Sequence, residues 1–147
     1  MKNSVKVFSL ALLLLFNFVI NAQTDKKKNN DVALHGYCPV AYAVMKKALK
    51  GQPELTSIYK GKKYTLAMKK AKKMFDAEPE KYLPKYDGYC ATALSMGKIV
   101  ESDPLLFSIY KGKTYLFSNK MAKETFDKNP DMIIKKADKN LQLLAQK

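Results

Sequence analysis

From Ala33 onward the chain repeats itself with a period of about 51 residues, so any structure open to the first copy must also suit the second. Ser57-Ile58-Tyr59-Lys60-Gly61-Lys62 returns as Ser108-Ile109-Tyr110-Lys111-Gly112-Lys113. The match runs on through Tyr64 and Tyr115, Lys69 and Lys120, Phe75-Asp76 and Phe126-Asp127, and Pro79 and Pro130. Upstream, Gly36-Tyr37-Cys38 returns as Gly88-Tyr89-Cys90, where the offset is 52 rather than 51. One residue has therefore been gained or lost between the cysteine and the segment that follows it. The two cysteines hold equivalent positions.

Each copy reads as a hairpin followed by a helix. Thr56 to Tyr59 and Tyr64 to Leu66 are β-prone runs around Lys60-Gly61-Lys62-Lys63, whose glycine can take the positive φ of a tight turn. The second copy places Leu106 to Tyr110 and Thr114 to Phe117 around Lys111-Gly112-Lys113. Ser118 or Asn119 is suited to cap a helix through Met121, Ala122, Thr125 and Phe126 that stops before Asn129-Pro130. Lys69 to Ala77 is its counterpart. Apolar spacing predicts two further helices, over Val40 to Leu49 and over Met132 to Ala145.

Residues 1–22 have the form of a secretory signal: Lys2 and Lys6, an apolar run from Val7 to Ile20, then Asn21-Ala22. The expectation is an exported protein, periplasmic or extracellular, with no membrane span in the mature chain. Residues 23–32 begin with a stretch lacking apolar side chains and read as a flexible linker. The first repeat then covers residues 33–86, and the second covers 87–147 with a C-terminal helix.

The chain carries 27 lysines, no arginine and a net charge of +14, which becomes +12 once Lys2 and Lys6 are removed. Such a field attracts polyanions without specificity. Base and phosphate recognition of the bidentate kind is arginine chemistry, so no specific nucleic-acid role is expected. Acid–base catalysis has little to work with: His35 is the only histidine, and neither a phosphate loop nor a spaced carboxylate pair is present. The chain reads as non-enzymatic.

What remains is Cys38, Cys90 and His35. Two thiolates and an imidazole suit a soft or borderline ion, copper(I) first and zinc second, and Met45 and Met96 could add thioether ligands. Alternatively, the cysteines form a disulfide closing a loop of 52 residues, worth about 4 kcal/mol on the chain-entropy model. A third arrangement leaves them as separate buried thiols, and only geometry separates the three. The rival functions are a disulfide-stapled basic module for a protein or polyanion, and thiol redox chemistry, which the wide cysteine spacing disfavours.

Gly36-Tyr37-Cys38-Pro39-Val40-Ala41-Tyr42, Tyr59 to Tyr64 and Phe75 to Tyr82 together resemble the YHS domain, a small module related to treble-clef metal-binding fingers. The resemblance implies an α+β fold of two pseudo-symmetric hairpin-plus-helix units packed into one small domain. It also implies metal handling, often of copper, alone or beside a metal-transporting protein. The family's ligand cysteines correspond to Ala41, Ala67 and Ala71 here, and in the second copy the latter two positions are Ser118 and Ala122. Cys38 stands where many relatives carry an aspartate. Any metal site must therefore be a new one, expected to join Cys38 to Cys90 with help from His35.

Overall fold

The computed structural model describes residues 32–146. The expected signal, 1–22, lies outside the described residues, as does the linker up to residue 31. The chain forms a small α+β domain built from two antiparallel hairpins and the helices around them.

In the first unit, β1 (Gln52–Tyr59) pairs with β2 (Lys62–Leu66), and α1 (Lys69–Ala77) and the one-turn α2 (Pro79–Tyr82) follow. The second unit begins with a short helix, α3 (Ala91–Ser95), that the sequence reading did not foresee. Strands β3 (Asp103–Tyr110) and β4 (Lys113–Phe117) then pair, followed by α4 (Lys120–Lys128) and α5 (Pro130–Ala145). Both turns are two-residue loops, Lys60-Gly61 and Lys111-Gly112, with positive φ at both positions, as the right-handed twist of a hairpin favours. The loop is thus shorter than expected, because Lys62 already pairs with Tyr59.

The hairpins share one irregularity. The register slips between Gln52 and Thr56, and again between Asp103 and Phe107. Pro53 and Pro104 fall in these bulges, where a residue without an N–H breaks no ladder bond. Each helix is locked to its hairpin by a buried phenylalanine. The Phe75 ring lies 5.1 Å from Tyr64, and the Phe126 ring lies 4.8 Å from Tyr115 and 5.0 Å from Phe117. Burial of such a ring contributes about 1.5–3 kcal/mol, with a further increment from tilted aromatic contacts.

Ahead of each hairpin sits a left-handed turn, Ala33–Gly36 and Lys85–Gly88, in which Leu34, His35, Tyr86 and Asp87 all have positive φ. Non-glycine residues reach that conformation at about 1–2 kcal/mol each, so the turns need support. Tyr37 N–H donates to the Leu34 carbonyl at 2.9 Å and Tyr89 N–H to Tyr86 at 2.9 Å. The last carbonyl of each turn also accepts a hydroxyl, but from opposite sides. Thr65 donates to Gly36 at 2.8 Å in the first unit, and Ser102 donates to Gly88 at 2.5 Å in the second. The exchange is reciprocal. Ser102 stands where the first unit has Gly51, whose missing Cβ would lie 2.4 Å from the Thr65 backbone, and Leu116 stands where the first unit has Thr65.

Leu116, relieved of the polar task, packs into the first unit's core beside Leu34. Gly88 permits that approach, since a Cβ there would meet the Leu34 side chain at 2.5 Å. Tyr42 crosses in the other direction, donating its hydroxyl to the Pro104 carbonyl in the bulge at 2.7 Å with its ring 5.0 Å from Phe107. Tyr86 belongs to the second unit's core, and its turn, Lys85–Gly88, is the counterpart of Ala33–Gly36.

Charge pairs repeat as well. Ser57 and Lys72 donate to Asp76 at 2.5 and 2.7 Å, and Ser108 and Lys123 donate to Asp127 at 2.6 and 2.5 Å. Lys72 and then Ser57 hold the Asp76 carboxyl below its ordinary pKa. For Asp127, burial pushes upward, but the bonds from Lys123 and Ser108 outweigh it and the net shift is downward. A carboxylate with a depressed folded-state pKa contributes stability above its unfolded value near 4, and loses that contribution as pH falls through the folded value. Asp127→Asn should cost about 0.5–1 kcal/mol at pH 7 and should flatten the loss of stability below pH ~4, as read by urea unfolding across pH.

Candidate functional site in the first unit

The offset change from 52 to 51 has a visible structural result. Between Cys38 and Leu49 the first unit has one residue more than the second has between Cys90 and Val100, while Cys38 N–H to Leu49 O (2.8 Å) and Cys90 N–H to Val100 O (2.9 Å) close both segments alike. The second unit spans the gap with α3. The first spans it with a π-helical turn, Ala41–Met45, ended by Lys46 in the left-handed region. A π-turn is how a helix absorbs one extra residue, and such turns concentrate at functional sites. The helix expected over Val40 to Leu49 is thus corrected: it stops at Lys46, and the chain turns back so that Leu49 can reach Cys38.

The two units then diverge around their cysteines. In the second, Thr92 donates to the Ala122 carbonyl at 2.7 Å and fastens α3 to α4. Asn140 of α5 donates to the Leu94 and Ser95 carbonyls, both at 2.9 Å, which satisfies the free C-terminal groups of α3. Cys90 caps α3, its sulfur accepting from Ala93 N–H at 3.5 Å and from the Ser118 hydroxyl at 3.4 Å. The first unit has Val40 in place of Thr92, and α2 ends after Tyr82 without an equivalent of α5. A groove of about 170 Å³ opens there between the π-turn and α1.

Cys38 forms part of this groove with Met45, Met68 and Met74, and Lys70 also lines it. Ala41, Ala67 and Ala71, at the positions where the resemblance implies ligand cysteines, also line it. No carboxylate or imidazole does. Among the described residues no hydrogen bond is made to the Cys38 sulfur. Cys38 has no accessible surface, so its sulfur is exposed only when neighbouring side chains shift, and thioether chains are the most pliant of the apolar ones.

The sequence-derived trio does not assemble. Cys38 sits in the first core and Cys90 in the second, both as free thiols rather than the disulfide weighed above. His35 is half-exposed, with Nε2 4.0 Å from Glu101 Oε2. Among the described residues, no three side chains from His, Cys, Asp and Glu come together as a metal cluster. Of the two methionines suggested as extra ligands, Met45 lines the groove, whereas Met96 is 65 % exposed on the second unit. Met68 and Met74 were missed. Their signal was available in the repeat, since the matching positions in the second copy are Asn119 and Thr125.

Met68 also breaks a local rule. It occupies the N-cap of α1, where it offers the helix no side-chain acceptor, while Asn119 caps α4 by accepting from Ala122 N–H at 2.9 Å. No described helix is long and apolar enough to cross a membrane. Compared with protein-family models, curated proteins and solved structures, the chain matches none. The cap makes a direct prediction: Met68→Asn should stabilise the fold by about 1 kcal/mol, measured as a higher urea midpoint at unchanged slope, even though it removes a sulfur from the groove.

Proposed function

We propose that this is an exported, non-enzymatic, YHS-like protein that holds one soft metal ion, copper(I) in preference to zinc, in the first unit's groove. The observation that carries this reading is the lining itself: one thiol and three thioethers among small and branched aliphatic side chains, with Lys70 the one lining residue whose side chain bears oxygen or nitrogen. Sulfur-only donor sets favour copper(I), whereas zinc prefers thiolates and imidazoles in fuller number. In this reading Cys38 supplies the anionic ligand as its thiolate, and Met45, Met68 and Met74 supply neutral ones.

Three further observations support it. The alanines at 41, 67 and 71 are small where the resemblance implies ligands, and they leave room for methionine side chains. The methionine at a cap position foregoes stability that Asn119 provides in the other copy, a pattern expected where a local rule yields to function. The extra residue and the missing α5 equivalent both act on this one groove. Cys90, hydrogen-bonded to Ala93 and Ser118, has a structural role, and His35 is not a ligand. The lysine-rich surface supports at most a salt-sensitive contact with polyanions.

The test is a copper(I) competition titration of reduced protein, with folding checked by circular dichroism. Wild type should take up one ion per chain. Cys38→Ser should weaken binding by about a hundredfold or more, Met68→Leu by a smaller factor, and Cys90→Ala and His35→Ala should leave it unchanged. Full binding in Cys38→Ser, or equal loss in Cys90→Ala, would overturn the assignment.

A further inference from the structure

A second cavity, of about 640 Å³, lies in the cleft between the units, bounded by the left-handed turns and the first hairpin loop. The two copies again differ there in one informative way. In the first unit Tyr37 pairs with Lys50 in an isolated antiparallel bridge, and the Lys50 ammonium sits 5.5 Å from the centre of the Tyr37 ring. In the second unit the same bridge joins Tyr89 to Glu101. The cation has been replaced by a carboxylate. Tyr89 is 38 % exposed and, among the described residues, has no lysine over its ring, whereas its counterpart Tyr37 has Lys50 over its own.

We propose that this cleft binds an organic primary ammonium with an apolar body, its charge placed on the Tyr89 ring beside Glu101 as Lys50 is placed on Tyr37. A ring face attracts a cation through its quadrupole, and a neighbouring carboxylate adds a direct charge. Leu34 and Ile58, the latter 70 % exposed, supply apolar wall for the ligand's chain. The cleft also contains Lys62 and Lys63. Lys62 is matched by Asp87 at 3.2 Å, Lys63 opposes the ligand's charge so that ring and carboxylate are both needed to hold it, and charges outside the cleft are screened beyond about 8 Å at physiological salt. His35, 4.0 Å from Glu101, is the side chain the ammonium would displace. The site is independent of the groove around Cys38.

Protonated hexylamine is the probe, with 1-hexanol as its neutral isostere and inorganic phosphate as the opposite charge, each titrated into the full folded protein while amide shifts are followed by NMR. Hexylammonium should give saturable, fast-exchange shifts at Gly88, Tyr89 and Glu101, at least tenfold tighter than hexanol. Glu101→Lys, at a largely exposed position, restores the Lys50 arrangement and fills the site from within, so the shifts should disappear. Equal response to hexanol, saturable phosphate shifts at the same amides, or undiminished hexylammonium binding in Glu101→Lys would each overturn the proposal.

Discussion

Everything in each unit depends on one buried phenylalanine pressing a helix onto a two-stranded hairpin. A hairpin alone is marginal in water, and here each has only a single neighbouring strand. Phe75 and Phe126 supply the missing layer, and the Ser–Asp–Lys cluster at the adjoining edge fixes the helix's rotation with Ser57, Asp76 and Lys72, and with Ser108, Asp127 and Lys123. With that frame secured twice, the segment between cysteine and hairpin was free to diverge.

The divergence is concentrated in small exchanges. Gly51 with Thr65 becomes Ser102 with Leu116, which keeps a hydroxyl on the left-handed turn while releasing a leucine to tie the units together. Val40 replaces Thr92, a π-turn replaces α3, and α2 stops where α5 continues. One copy is thereby closed by hydrogen bonds from Thr92 and Asn140, while the other is left with an open, sulfur-lined groove. Two copies of one sequence give a structural unit and a candidate binding unit.

Much of the frame was legible in the sequence. The repeat placed both hairpins and both Phe-bearing helices, because hairpin signals and helix caps are local. Of Ser118 and Asn119, the two residues suited to cap α4, Asn119 is the one that does so. The pairing of Cys38 with Cys90 could not be read in the same way. Equivalent positions in a repeat need not approach each other, and each cysteine is drawn into its own core by the backbone bond to Leu49 or Val100. The one-residue offset was noticed, but its meaning as a π-turn depends on where the chain returns. Met68 and Met74 drew no reading from the sequence, because methionine at helical spacing is usually core filler. Only comparison with Asn119 and Thr125 marks them as unusual.

Cys38 and Cys90 both lack accessible surface in the resting fold, and they differ in what covers them: pliant methionines over Cys38, a hydrogen-bonded helix cap over Cys90. Native, reduced protein treated with iodoacetamide and mapped by peptide mass spectrometry tests this directly. Cys38 should be alkylated at least tenfold faster than Cys90 under conditions where the protein remains folded. Equal rates, or faster labelling of Cys90, would contradict it.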